Sequence, residues 1–436
     1  MKEVKFLHCA DIHLDMPFTS LGIEDNKPSI RRMDLKDTFQ KIINMAHEEE
    51  VGLIFICGDL YEHDYIRRST IDFINHAFKS IKDIKVFIVP GNHDPWVKGS
   101  YYMNYEWANN VNIISKDNPY VHLKEEGIDI YSYDAFLKEE IENGKTEFNP
   151  DNINILLAHG TVDLNIDGKS YNPMTSHELA ALGMDYIALG HFHNRIDNIG
   201  GKGIIYNPGS PEPLGFDEPG EHGVYIGTIV KKGVNCLKRL KHSGESVNLD
   251  HSDCSRHLNI DFKSLNKRYY EELKVDITGY TTDEEVASNI MYGIKTLFPG
   301  LQSMETLEIV DSQDIFPVNN DLPDTTKQDA SLLKLNLSSL LLSIILYGYI
   351  DPNYNIDMEY ILSFLKDKVF YIKVRNEAVP EYDFDLIKKE PGLKGLFTGK
   401  MLELIDKAQN IREKELLKKS LYYGIQALEK GQVDVI

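Results

Sequence analysis

The chain has 436 residues, 42% of them hydrophobic and 26% charged, enough for two or three domains that each bury a core of their own. A formal net charge of −21 argues against a broad basic surface for polyanions, so any nucleic-acid reading has to explain the acidity. The four cysteines, Cys9, Cys57, Cys236 and Cys254, lie far apart with no CxxC spacing, which fits reduced thiols and a cytoplasmic location rather than a disulfide framework.

Glu3 and His8 interrupt the first residues where an export signal needs an unbroken apolar segment, so none is expected. From residue 2 to about 241, short apolar runs alternate with helix-like segments, the pattern of a layered α/β domain. The runs are 4–7, 53–56, 86–89, 153–157 and 186–189, followed by strand-like 224–230 and 234–240; helical spacing occupies 33–47 and 69–78. Two basic segments, Lys27 with Arg31 and Arg32 (joined by Arg67 and Arg68) and residues 231–242, read as solvated charged faces.

Alternation at Leu258, Ile260 and Phe262, then at Leu273, Val275 and Ile277, a helix over 283–298 and a strand over 305–310 predict a small α+β domain. Residues 312–329 have linker composition. The apolar stretch 335–350 contains Asn336, Ser338, Ser339 and Ser343 and falls short of the roughly 20 residues a spanning helix needs, so it is expected as a buried or partner-facing helix. An amphipathic helical stretch follows over 399–431. The predicted domains are 1–250, a layered α/β core; 251–315, a small α+β domain; 316–330, a linker; and 331–436, a helical C-terminal region.

All five early runs end in potential metal ligands: Asp11 and His13, Asp59, Asn92 with His93 and Asp94, His159, and His191 with His193. In open α/β sheets functional groups gather beyond the carboxyl ends of strands, so five such ends can converge. Extended backbone puts i and i+2 on one side, which lets Asp11 pair with His13, and His191 with His193. Asp11, His13, Asp59, Asn92, His159, His191 and His193 suffice for two divalent metals if Asp59 bridges. Two such ions less two carboxylates leave about +2, attractive to a phosphodiester even on an acidic chain. His93, beside a ligand but aimed elsewhere, is placed to give a proton to a departing oxygen. The remaining histidines, among them His8 and His222, lie outside the pattern and receive no catalytic role.

The series D-x-H, G-D, G-N-H-D, H and G-H-x-H, seen here in "CADIHLD", "CGDLYEHD", "VPGNHD", "LLAHG" and "LGHFH" with a later "YNPGSPEPLGFDE", resembles the calcineurin-like metallophosphoesterases, and among them the DNA repair exonucleases of the SbcD/YhaO type. The motifs cover about the first 220 residues. The resemblance implies a layered β-sandwich core flanked by helices, with a small α+β capping domain and a helical C-terminal region. It also implies two divalent metal ions, Mn²⁺ by family, and 3′→5′ exonuclease and endonuclease activity on DNA in double-strand-break repair. A homodimer is implied as well, and an SbcC-like coiled-coil ATPase that docks on C-terminal helices and supplies the DNA surface this acidic chain lacks. The 399–431 segment suits that docking or is an ordinary packed helix.

Three residues after Asp59, where many repair nucleases of this class carry a histidine and Ser/Thr phosphatases an aspartate, stands Glu62. It is expected to orient His93 and raise its basicity. His63 is a candidate substrate contact. Asn207 and Ser210, in the loop after the last ligands, either touch phosphate or form a plain turn. Two rival readings stay open: a phosphatase or small-molecule phosphodiesterase, and a non-enzymatic protein that holds DNA ends or regulates an ATPase.

Overall fold

A computed structural model describes residues 1–22, 26–133, 148–163, 170–232, 256–297, 337–366 and 368–431. The strand expected over 234–240, the strand over 305–310 and the linker 316–330 lie outside the described residues. The chain divides into two units, Met1–Tyr269 and Tyr270–Ile436.

In the first unit the apolar runs become strands. β1 (Lys2–Cys9), β2 (Leu53–Cys57), β3 (Lys85–Val89) and β4 (Val111–Ile113) pair in parallel. Helices α1 (Lys27–Glu48) and α2 (Arg68–Ser80) follow β1 and β2. A second sheet holds β5 (Tyr120–Leu123), β6 (Ile128–Ser132), β7 (Ile153–His159), β8 (Tyr186–Gly190) and β9 (Ile205–Tyr206), parallel except for β5 against β6. β10 (Gly223–Lys231) then returns antiparallel beside β1, and β11 (Arg256–Ser264) pairs antiparallel with β10. The first sheet thus runs β11-β10-β1-β2-β3-β4.

The two sheets face each other. Phe6, Phe55 and Phe87 from the first meet Ile130, Ile155, Leu157 and Tyr186 from the second in one buried cluster, a β-sandwich core. Residues one step along point the other way: Leu156, Ala158, Ile187 and Leu189 pack with Leu179 of α3 (Ser176–Ala181). Burial on both faces explains why β2 and β8 read as unbroken apolar runs, and β7 as one interrupted only by Asn154 before its closing His159. On α1 and α2, Leu35, Phe39, Ile42, Ile71, Ile74 and Phe78 are buried, with the Phe39 and Phe78 rings 5.7 Å apart. This is the expected layered α/β sandwich flanked by helices.

One boundary moves. The strand around Leu258 was expected to open the α+β domain, but as β11 it is the edge of the first sheet, in register from Gly223↔Ser264 to Lys231↔Arg256. Its two-residue period identifies a strand and is silent about which sheet the strand joins.

The second unit contains β12 (Tyr269–Asp276), α4 (Asp283–Leu297), β13 (Leu340–Tyr347), β14 (Tyr349–Ile350), α5 (Met358–Leu365), β15 (Tyr371–Asn376) and β16 (Val379–Pro380). Its main sheet runs β12-β13-β15. β13 replaces the helix expected over 335–350. A short continuous apolar run has no period to separate helix from strand, and "LLLSIILY" is buried along nearly its whole length as the central strand. Farther on, the amphipathic stretch is two helices, α6 (Leu393–Lys407) and α7 (Ile411–Lys430), broken where Asn410 caps α7 through Glu413 N at 2.8 Å. They close on Met401, Ile405, Leu421 and Ile425, while Leu396, Ile411 and Leu416 stay exposed. No described helix is long and apolar enough to cross a membrane.

Candidate metal centre

All the ligands but His159, the last residue of β7, sit on backbone just beyond a strand end, and much of it is sharply bent. β1 ends at Cys9, and Asp11, His13, Asp59 and His191 have φ of 53°, 50°, 51° and 107°. Left-handed conformation in residues other than glycine costs on the order of 1–3 kcal/mol each and persists only where surrounding bonds enforce it. Here Asp11 N donates to Gly58 O (3.1 Å), His13 N to Asp59 O (2.9 Å) and Leu14 N to Leu60 O (3.1 Å), zipping the two loops together. Extended i, i+2 spacing is therefore not what aims Asp11 and His13; a kinked loop is.

Two glycines make room. A Cβ on Gly58 would lie 2.1 Å from His159 Nδ1, and one on Gly91 would lie 2.2 Å from Asp59 Oδ1.

All seven candidate ligands converge. Ligand atoms of Asp11, His13 and His193 lie within 4.8 Å of one another, as do those of Asp11, Asp59 and His159. Asp59 Oδ2 stands between the groups, 3.2 Å from His159 Nε2 and 3.7 Å from His13 Nε2. Asn92 Oδ1 lies 2.9 Å from His159 Nε2 and 3.2 Å from His191 Nδ1. His191 therefore sides with Asn92 and His159, whereas His193 sides with Asp11 and His13, so the two do not share the one centre that their spacing suggested.

The outward nitrogens fix the inward ones. His159 Nδ1 donates to Cys57 O (2.8 Å), His13 Nδ1 meets Glu62 Oε1 (2.6 Å) and His193 Nδ1 meets Glu218 Oε1 (2.6 Å). A proton held at Nδ1 leaves the lone pair on Nε2. The Nε2 atoms of His13 and His193 then face each other at 3.2 Å, close enough to share one proton or to ligate one cation.

Without a metal the surrounding carboxylates favour protonated rings at His159 and His193, and a bound cation would displace those protons. Burial opposes charge on His159, yet the charge and hydrogen bond of Asp59, with help from Asp11, raise it to about 10. Burial likewise opposes charge on His193, and Glu218 raises it to about 9. Burial raises Asp11, while Asp59, although buried, is pulled well down by His159 and His13. His191, desolvated and beside His159, falls to about 4 and so stays neutral with a lone pair available. Two enclosed carboxylates, an amide oxygen and imidazole lone pairs fit divalent cations.

His93 lies at the exposed edge of this cluster, its ring centroid 4.9 Å from that of His13. Its ring is half-exposed, Nδ1 lies 3.0 Å from Glu62 Oε2, and its backbone N donates to Asp59 Oδ1 at 2.8 Å. The Glu62 hydrogen bond raises its pKa. Glu62 is itself pulled down to about 2: burial opposes this, and the bonds from His13 and His93 overcome it. Glu62 thus touches His93 as expected and also His13, which was not expected.

The candidate substrate contacts fall elsewhere. His63 is half-buried, its N bonded to His93 O at 2.9 Å and its Nδ1 enclosed. Asn207 and Ser210 are buried behind the ligands: Asn207 Nδ2 donates to Phe192 O (2.7 Å) and Asn194 O (3.1 Å), and Ser210 N to His193 O (2.9 Å). Sequence reasoning passed over Glu218, and over the work of Asp94. The buried Asp94 carboxylate accepts from Asp59 N, Leu60 N, Gly91 N and the Tyr102 hydroxyl at 2.6–3.0 Å, tying together the loops that carry Asp59 and Asn92.

A two-sheet sandwich that gathers Asp, Asn and His ligands beyond parallel strand ends is the scaffold of a metal-dependent phosphoesterase. Residues 4–195 match the family described as Calcineurin-like phosphoesterase, and the chain carries a calcineurin-like metallophosphoesterase domain. The chain is similar to the metallophosphoesterase YhaO of Bacillus subtilis, 29% identical over 52% of this chain and 57% of that one, so the match spans little more than half of YhaO. It is also similar to the SbcD component of the nuclease SbcCD of Staphylococcus epidermidis, 23% identical over 79% of this chain and 99% of that one. A solved structure of a conserved Streptococcus pneumoniae TIGR4 protein described as a phosphoesterase aligns at 12% identity and TM-score 0.25, over 53% of this chain and 86% of that one.

Proposed function

We propose that this phosphoesterase hydrolyses phosphodiester bonds at DNA ends, as a 3′→5′ exonuclease with endonuclease activity in double-strand-break repair. The observation that carries the reading is the convergence of the ligand set, with a half-exposed His93 at its edge held by Glu62. Asp11, His13 and His193 would hold one divalent cation, and Asn92, His159 and His191 a second, with Asp59 shared between them. When bound, such ions supply Lewis-acid charge and lower the pKa of water; Mn²⁺ is the choice suggested by resemblance. His93 gives its Nε2 proton to the departing 3′ oxygen. Glu62 holds that imidazole in place and favours its charged form.

A polymer substrate is supported by similarity to the SbcD component of the SbcCD nuclease along most of both chains. The second unit is read as a capping α+β element followed by partner-binding helices. The exposed Leu396, Ile411 and Leu416 on α6 and α7 suit an SbcC-like coiled-coil ATPase, which would bring the basic DNA surface that a −21 chain lacks. The active form is read as a homodimer in the cytoplasm.

The test is release of mononucleotides from end-labelled duplex DNA by the purified chain with Mn²⁺, alongside a chelator control and His93→Leu. Release that disappears in both controls supports the reading. Hydrolysis of an aryl phosphodiester without action on DNA, even with an SbcC-type partner added, would move the substrate to small phosphodiesters.

A further inference from the structure

We propose that Glu218 is a positioning residue that sets the tautomer and aim of His193, and through it the cation affinity of the Asp11–His13–His193 cluster. The inference rests on the metal reading above and deepens it by naming a second carboxylate behind the site.

Glu218 is 4% exposed, and both of its oxygens are engaged. Oε1 lies 2.6 Å from His193 Nδ1, while Oε2 accepts from Ser210 Oγ and Leu214 N, each at 2.9 Å. A buried carboxylate costs several kcal/mol unless it is paired, so a site that keeps one there gives it a partner.

The loop that carries Glu218 also grips the ligand segment from behind. Asn207 and Ser210 bond to the backbone of residues 192–194. Gly209, at φ 76°, allows the loop so close that a Cβ there would lie 2.3 Å from His193 O. His222, which had no expected role, places its ring nitrogens 2.8 Å from Ser210 O and 3.1 Å from Glu218 O. One loop thus fixes both the backbone and the ring of His193.

The two groups of ligands are consequently unequal. His13 and His193 are each backed by a carboxylate at 2.6 Å, whereas His159 is backed by the neutral Cys57 carbonyl. A carboxylate holding the far nitrogen keeps the near lone pair on target and makes it a stronger donor, and loss of such a partner typically weakens metal binding about 10–100-fold. Glu218→Gln keeps the shape. If its amide oxygen stays on Leu214 N, its NH₂ faces His193 Nδ1 and drives the ring proton to Nε2, where it blocks the cation.

The test is Mn²⁺ titration of the full chain, with histidine ¹⁵N spectra of the metal-free protein. In the wild type we expect two binding steps and, at a pH where the His193 ring is neutral, a His193 resonance pair of the Nδ1–H form. Glu218→Gln is expected to weaken one step about 10–100-fold, leave the other within about threefold, and shift His193 towards the Nε2–H form. Two unchanged steps with an unchanged tautomer in a folded variant would overturn the proposal. Should Glu218→Gln not fold, Glu218→Asp serves: it keeps the charge but draws the oxygen back by one methylene, so an unaltered tautomer and affinity there count equally against it. A wild-type chain that binds no Mn²⁺ defeats the metal reading, whereas the tautomer spectrum still reports on the Glu218–His193 pair.

Discussion

The Nε2 atoms of His13 and His193 face each other at 3.2 Å, with each ring anchored at its far nitrogen by a buried carboxylate. Nitrogens so placed share a proton or a cation, and a cation that binds only the folded chain stabilises it. At a free concentration about a hundred times Kd the gain is about 2.7 kcal/mol. We expect Mn²⁺ to raise the thermal midpoint of the wild type and a chelator to reverse the rise. His13→Ala should lose most of the effect. Identical melting curves with and without Mn²⁺ in the wild type would refute cation binding at this cluster.

Glu62 reaches His93 with one oxygen and His13 with the other, at 3.0 and 2.6 Å. The two histidine contacts separate by mutation. His93→Asn should lower turnover of an aryl phosphodiester by about 10²–10⁴-fold while Mn²⁺ binding is kept. Glu62→Gln should lower turnover and also weaken Mn²⁺, because the His13 anchor goes with it. Turnover equal to wild type in Glu62→Gln would remove that residue from the mechanism.

What was legible in the sequence was local. Ligands that sit within a few residues of an apolar run, such as Asp59 after β2 or His159 at the end of β7, announce themselves through the strand they follow. Glu218 does not, because its partner His193 is 25 residues away and the two meet only once the 207–218 loop folds back. The positive φ at Asp11, His13 and Asp59 was likewise hidden, since none of these is a glycine and the strain is maintained by bonds between two distant loops. β13 was misread for the opposite reason: its composition carries an apolar signal too uniform to show a period.

His8 gives a pH dependence outside the metal centre. It is fully buried, its Nε2 donates to Leu189 O at 3.0 Å, and its Nδ1 accepts from the Tyr186 hydroxyl at 2.9 Å. Burial lowers its pKa to about 3, against the partial opposition of the Leu189 carbonyl. The unfolded chain takes up a proton here below about 6.5 and the folded chain does not, so this contribution is undiminished above that pH and is lost as pH falls towards 3. The slope is about 1.4 kcal/mol per pH unit, or roughly 2 kcal/mol by pH 5. Urea denaturation at pH 7.5 and 5.0 should show His8→Gln less stable at the higher pH and less sensitive to the change. An acid sensitivity unaltered by the substitution would mean that His8 does not titrate on unfolding.

A buried ion pair elsewhere in the first unit makes an asymmetric prediction. Glu212 and Arg31 are both fully buried, with Arg31 Nη1 2.7 Å from Glu212 Oε1. Glu212 also accepts from Thr38 Oγ1 at 3.1 Å, Lys267 N at 2.7 Å and Arg268 N at 3.0 Å, which ties α1 to the chain just after β11. Removing one partner of a buried pair costs about 3–5 kcal/mol because the other charge is left uncompensated. Glu212→Ala strands Arg31 with Asp34 at 3.3 Å and the Pro213 carbonyl, and it also abandons the buried Arg268 N–H and the partly buried Lys267 N–H. Arg31→Met leaves the carboxylate three donors and fills the space with apolar atoms. Glu212→Ala should therefore lower the urea midpoint more than Arg31→Met, and the double variant should cost less than the two single losses added together. A larger loss in Arg31→Met would show that the guanidinium, and not the four-fold acceptor, holds this junction together.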